Sequence, residues 1–297
     1  MNKKSIKSSE RRFDILNYVM LSIVFVIIVY PLYYILVASV SNPYDVFAGK
    51  TFLLPSGFTL EGYIRVFSEK MIVRGYLNSI LYTFLGTVIS VSLVLITAYP
   101  LSKKNLPGRK GIMLLYVITM YLSGGLIPTY LVVSRLGMIN SLWALILPGG
   151  VAVYNVIVTR TFFQTSIPES LYDAAAIDGC GNLQTFFKIV IPLSKPIIAV
   201  MVIFTVVAYW NDWFTALIYL PSGEKAPLQL VLRNILIESQ ASANMMSGMS
   251  GGYAEANKIT ELIKFASIVV ASVPMLIIYP FVQKYFGKGM MLGAVKG

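Results

Sequence analysis

Polar positions in this chain are rare and bunched, and the stretches between them are long and apolar. Five runs carry no charge: Ile15–Val40, Asn78–Ser102, Gly111–Ser134, Leu136–Thr159 and Phe265–Gln283. A sixth, Pro196–Leu220, is interrupted only by Asp212. A helix that crosses a bilayer needs roughly 20 apolar residues. The pattern therefore predicts an all-α polytopic membrane protein with six transmembrane helices, at 15–40, 78–102, 111–134, 136–159, 196–220 and 265–283. They form a membrane domain, 15–283, between a short N-terminal segment, 1–14, and a tail, 284–297.

The connections are unequal. The fourth and fifth runs are joined by 36 residues, Arg160–Lys195, far more than a simple helix–helix connection needs. This stretch is patterned. Ser166-x-x-Glu169 reads as a capping box with Pro168 in a tolerated first-turn position. Ser170 to Asp178 has helical composition, with Leu171, Ala174, Ala175 and Asp178 on one face by spacing. Gly179 and Gly181 supply a turn where positive φ is cheap. Asn182 is expected to cap a second helix, Leu183 to Ile191, which Pro192 stops. Small alanines beside acids suit the close approach of another protein with a basic groove. A helix lying on lipid headgroups is the plainer alternative.

Composition sharpens the membrane reading. The chain is 57% hydrophobic and 12% charged, against about 25% charged in soluble domains. One cysteine, Cys180, excludes an intrachain disulfide, and the absence of histidine excludes imidazole ligands and relays. No metal-ligand cluster stands out. The first run, 26 residues long, is too long for a signal-peptide core and reads as a retained span. The net charge of +11 would suit nucleic acid, but its distribution argues for membrane topology. With the N-terminus inside, the inner segments hold 15 Lys and Arg and the outer ones 9. That bias places both termini in the cytoplasm. The only P-loop-like string, Gly49-Lys50-Thr51, has Tyr44 where the first glycine belongs, so the chain is not expected to hydrolyse ATP.

Two features bear on a pathway. Prolines 31, 100, 128, 148, 274 and 280 fall inside five of the six runs, with Gly124-Gly125 and Gly149-Gly150 nearby. They suggest bendable helices. Asp212 is the one acid in a span, about 12 Å from its outer end at the helical rise, and such residues face a bundle interior or water.

Asp173-Ala174-Ala175-x-x-x-Gly179, nine residues, then Ile189-x-Ile191-Pro192 resembles the E-A-A-x-x-x-G loop of binding-protein-dependent ABC importer permeases. Asp173 stands for the usual Glu and Ile191 for Leu. Tyr209-Trp210-Asn211-Asp212-Trp213, the tail from Phe286-Gly287-Lys288-Gly289 to Gly297, Asn78-Ser79 and Leu54–Leu60 with Tyr63 are similar to the maltodextrin-type carbohydrate importers. The resemblance implies a type I ABC importer permease fold. Its cytoplasmic coupling-helix loop, 166–192, lies between the fourth and fifth spans and docks on an ATPase. Asp173, Ala174, Ala175, Asp178, Gly179, Ile189 and Pro192 would contact or shape that interface, and Lys288, Lys296 and Gly297 would reach the ATPases from the tail.

The partners so implied are a second homologous permease subunit, two cytoplasmic ATPase subunits, an extracellular sugar-binding lipoprotein, the sugar and the lipid bilayer of a bacterial plasma membrane, with no nucleic acid. No cofactor belongs to this chain; ATP and Mg sit on the partner ATPase. Trp210, Asn211, Asp212 and Trp213 would line a sugar path, or the polar pair would bond neighbouring helices while the tryptophans anchor the outer interface. The long outer loop Pro221–Lys264 would meet the binding protein, with Met245–Gly252 as its flexible part. The alternatives are an ion-coupled secondary transporter using Asp212 and a membrane scaffold that transports nothing.

Overall fold

The structure, a computed structural model, describes residues 3–246 and 263–280. The C-terminal positions Lys288, Lys296 and Gly297, the end of the last run at 281–283 and residues 247–252 of the Met-rich stretch lie outside the described residues. Among the described residues every regular element is a helix. The chain divides into two compact units, Met1–Glu69 with Asn234–Ser272, and Lys70–Arg233 with Val273–Gly297.

In the first unit, α1 (Lys3–Ser39) is continuous through Pro31. Its stretch Phe13–Ser39 is long and apolar enough to cross a membrane. Large apolar side chains from Phe13 to Leu32 stand exposed, as a lipid-facing helix requires. After α1 the chain folds back: Ser39 Oγ and Tyr63 Oη lie 2.8 Å apart, and the Tyr33 hydroxyl donates to the Leu53 carbonyl. Asn42 caps the short α2 (Pro43–Phe47) by accepting from the Tyr44 amide. α3 (Glu61–Ser68) follows.

The second unit is built on α4 (Lys70–Ser102), 33 residues long and so about 50 Å. It begins eight residues before the Asn78 expected from hydropathy and runs through Pro100 without a break. It is followed by α5 (Arg109–Tyr121), α6 (Leu126–Arg135), α7 (Trp143–Ile146) and α8 (Val153–Ser166), of which α7 and α8 pack on α4 and α5 packs on α8. After them come α9 (Glu169–Ile177), α10 (Asn182–Thr185), a π-helical stretch Phe186–Val190, α11 (Ile191–Leu193), α12 (Lys195–Trp210) and α13 (Phe214–Tyr219). Of α14 (Leu228–Met246) and α15 (Ile263–Pro280), this unit holds only residues 228–233 and 273–280, the rest belonging to the first. The core lies where α4 meets α8 and α12, around Val94, Ala98, Val156, Phe163, Val190 and Met201. α12 approaches α4 closely at Gly86: a Cβ there would lie 2.8 Å from the Tyr209 ring, so only glycine admits that ring.

Three described helices are single and long enough to span: Phe13–Ser39, α4 and α15. The remaining three expected spans are broken. The run 111–134 is two helices, α5 and α6, bent by 113° across Leu122–Gly125. The run 136–159 breaks between α7 and α8, at Leu147–Ala152. The run 196–220 breaks between α12 and α13, at Asn211–Trp213. The cause is local. Gly125 takes φ +87, and Pro148 cannot donate to a helical ladder. Apolarity continues through all three breaks, so hydropathy does not register them. The prolines within α1 and α4, by contrast, break nothing.

Candidate functional site

The loop between α8 and α12 folds as two short helices with a turn between them, as its patterning predicts, with different boundaries. α8 runs through Ser166, so Ser166 cannot be an N-cap and no capping box forms. Pro168 takes the N-cap position of α9 without a side-chain bond, and Glu169 turns to Lys104 at 2.8 Å. Gly181 caps the next helix with φ −68, and Asn182 is its first residue. Pro192 does not stop that helix. It lies in the final turn, Ile191–Leu193, after the π-helical stretch. The wider turn there accommodates a residue that lacks an amide and crowds the preceding carbonyl.

Gly179 is the pivot. With φ +75 it closes α9 in a Schellman arrangement: the Cys180 amide donates to Ala175 at 2.8 Å and the Gly179 amide to Ala176 at 3.1 Å. Asp178 is the C-cap. Ala175 is the buried contact of α9, 3% exposed, whereas Asp173, Ala174 and Asp178 face outward and Ile189 is half-buried. The face expected from spacing is therefore split between the protein and the outside. Ile177 at 87%, Leu183 at 75% and Phe187 at 63% exposure surround the turn, an apolar patch of the kind that marks a docking surface.

Behind this turn lies a cleft of about 1180 Å³ between the α4–α5 connection and α9. Lys103 Nζ sits 2.8 Å from the centroid of the Tyr172 ring and 5.1 Å from that of Tyr99. Burial lowers the Lys103 ammonium to about 8, with Glu169 and Asp173 raising it in part. Burial, then neighbouring Tyr99, pushes the Tyr172 hydroxyl up to about 12. The Lys104 ammonium holds Glu169 below the usual carboxylate range through their hydrogen bond and its charge. Sequence reading weighs Lys103 and Lys104 only as topology signals and passes over Tyr172. The spacing of two lysines from an aromatic on a distant loop carries no local signature.

A second cavity, of about 580 Å³, lies where the broken helices meet, lined by residues including Thr129, Pro148, Tyr209, Asn211, Asp212 and Thr215. The Tyr209 hydroxyl bonds Ser90 at 2.8 Å and donates to the Ile146 carbonyl at 3.4 Å, joining α4, α7 and α12. Asp212 stands just before Trp213, the N-cap of α13, and its Oδ1 accepts the Thr215 amide of the first turn at 3.0 Å. Asn211 donates to the Val207 carbonyl of its own helix at 2.9 Å. Trp210 is buried and packs edge-on against Tyr76, so it does not anchor an interface. Trp213 is partly exposed and carries Arg233 at 4.6 Å over its ring. Tyr209 and Thr215 join Asn211 and Asp212 in this wall; Trp210 and Trp213 are not among its lining residues.

At the opposite end of α4, Asn78 donates to the carbonyls of Glu224 and Ala226 at 3.0 and 3.1 Å. Tyr82 donates to that of Lys225 at 2.9 Å, and Ser79 accepts the Leu228 amide at 2.8 Å. The Asn78-Ser79 pair thus grips the connection before α14 and does not open a helix.

Comparison with known proteins adds to this geometry. Residues 73–292 match the family described as Binding-protein-dependent transport system inner membrane component. The chain is 44% identical over 287 residues to the polygalacturonan/rhamnogalacturonan transport system permease protein YtcP of Bacillus subtilis (strain 168), covering 97% of this chain and 99% of that one. It is 25% identical over 290 residues to that organism's maltodextrin transport system permease protein MdxG, covering 95% and 96%. Among solved structures, it resembles a chain of a bacterial ABC transporter involved in the import of the acidic polysaccharide alginate. That likeness has a TM-score of 0.84 and 32% identity, covering 94% of this chain and 98% of the other.

Proposed function

The chain belongs to the family of binding-protein-dependent transport system inner membrane components, and from that premise we propose how its parts serve import. It is a multi-pass bacterial membrane protein, the permease subunit of an oligosaccharide ABC importer, and not the ATPase. Two cytoplasmic ATPases, a second homologous permease and an extracellular sugar-binding lipoprotein complete its complex. Six crossings with both termini inside form half of the path. The observation that carries the coupling role is the loop around Gly179, a rigid turn that presents Ile177, Leu183 and Phe187 to the outside. Asp173, Ala174, Asp178 and Gly179 dock on the ATPase, with Ala175, Ile189 and Pro192 shaping the loop behind them. Lys288, Lys296 and Gly297 reach the same subunits. Closure of the ATPases on ATP moves this loop and turns the path outward.

The cavity at the helix breaks forms part of the sugar path on this subunit, with Asn211, Asp212 and Tyr209 in its wall. The cargo is an acidic oligosaccharide of the pectic type. Support comes from the polygalacturonan/rhamnogalacturonan permease and the alginate importer named above. Proteoliposomes holding the full complex, with its binding protein and internal ATP, should accumulate trigalacturonate in preference to maltotriose. Preference for maltotriose would overturn the pectic reading. Uptake driven by an ion gradient without the ATPases would overturn the importer mechanism.

A further inference from the structure

The helix α4 links the two ends of the second unit. Its outer end holds the connection before α14 through Asn78, Ser79 and Tyr82. Its inner end is tied twice. A helix leaves its last carbonyls without partners in its own ladder. Here the Leu101 carbonyl accepts from Arg160 Nε at 2.9 Å and that of Ser102 from Gln164 Nε2 at 3.0 Å, both from α8. The next two residues then reach past α8 to α9. Lys103 lays its ammonium on the face of Tyr172, and Lys104 pairs with Glu169. The Lys104–Glu169 pair is exposed and solvent screens it strongly. The Lys103–Tyr172 contact is half-buried, so it carries the grip.

We propose that Lys103 on Tyr172 is a clasp that locks the coupling helix α9 to α4, so that a displacement of α9 moves the whole strut and, at its far end, the outer connection. The inference rests on the reading of 166–192 as the ATPase dock. Lys103 is a positioning residue, acting through the Tyr172 ring. The two rings, the acids Glu169 and Asp173 and the cations Lys104 and Arg109 make up its surroundings, Arg109 donating to the Lys103 carbonyl at 3.4 Å. The Tyr172 hydroxyl is buried without a hydrogen-bond partner, so the ring face and not the hydroxyl does the holding.

The test is uptake per ATP hydrolysed in proteoliposomes of the full complex, with trigalacturonate and maltotriose as probes. Lys103→Gln and Tyr172→Leu should each lower that ratio about five-fold, the small end of measured couplings between sites. Tyr172→Phe, which keeps the face, should leave it unchanged. A pH series separates the clasp from a general loss of structure. The Lys103 ammonium is present at neutral pH and is lost as pH rises through about 8. Wild-type coupling should therefore fall across that range, while Lys103→Arg, which stays charged, should hold its ratio. Wild-type ratios in both Lys103→Gln and Tyr172→Leu, or an equal loss in Tyr172→Phe, would overturn the clasp. So would identical pH profiles for wild type and Lys103→Arg. If the wild-type complex takes up neither sugar, the oligosaccharide reading fails by itself. The clasp is then read from ATP hydrolysis, which Lys103→Gln and Tyr172→Leu must release from dependence on the binding protein.

Discussion

At Gly179 a single backbone angle decides the geometry of the loop. With φ +75 and no atom within 4 Å of an added Cβ, a substitution there meets no steric neighbour; its cost is purely conformational. An L-residue held in the left-handed region costs about 1–2 kcal/mol, and a β-branched one is a clear outlier there. Gly179→Val should therefore open the Schellman turn, release the Cys180 and Gly179 amides and free α9 to move relative to α10. The expected outcome is ATP hydrolysis that no longer drives uptake, with complex assembly retained, as read by co-purification and by uptake per ATP. Asp173 is a less decisive residue. It is exposed, and an exposed ion pair contributes about 0–1 kcal/mol, so the turn matters more than the acid.

Among the elements, the breaks that bound the cavity at Pro148, Asn211 and Asp212 are the part least legible in the chain. Hydropathy marks six apolar runs, three of which are single helices long enough to span among the described residues, and the pattern of caps and glycines marks the two short helices between α8 and α12. Hydropathy did not separate α5 from α6 or α7 from α8, since Gly124-Gly125 and Pro148-Gly149 count as apolar while they interrupt hydrogen bonding. Asp212 shows the same limit from the other side. Its charge in a span was visible; its task, holding the Thr215 amide at the start of α13, depends on a break that was not. That bond yields a prediction that also tests the ion-coupled alternative. Asn accepts such a bond as well as Asp does, whereas Ala at a helix start costs about 1 kcal/mol. Asp212→Asn should keep ATP-driven uptake and thermal stability, and Asp212→Ala should lower stability by about that amount. Loss of uptake in the Asn variant with stability intact would give the charge itself a role in transport.

For the whole molecule, the question is whether helices of 13 to 16 residues serve as crossings. α5 and α12, at 13 and 16 residues, reach about 20 and 24 Å, short of a hydrocarbon core of about 30 Å. Broken helices persist at membrane depth only where protein or a water-filled cavity satisfies the freed backbone. The cavity bounded by Pro148, Asn211 and Asp212 offers such a setting. The sharp bend after α5 makes the connection before α7 the decisive position. If α5 crosses, Leu136, 66% exposed, stands outside. If α5 and α6 form a re-entrant pair, Leu136 returns to the inside. With Cys180 replaced by Ser, a Leu136→Cys variant should react with a membrane-impermeant thiol reagent in intact cells. Phe58→Cys should react likewise, and Asn105→Cys only after permeabilisation. Protection of Leu136→Cys until the membrane is opened would remove the third and fourth crossings together. The termini would keep their sides, but the six-span path would be lost.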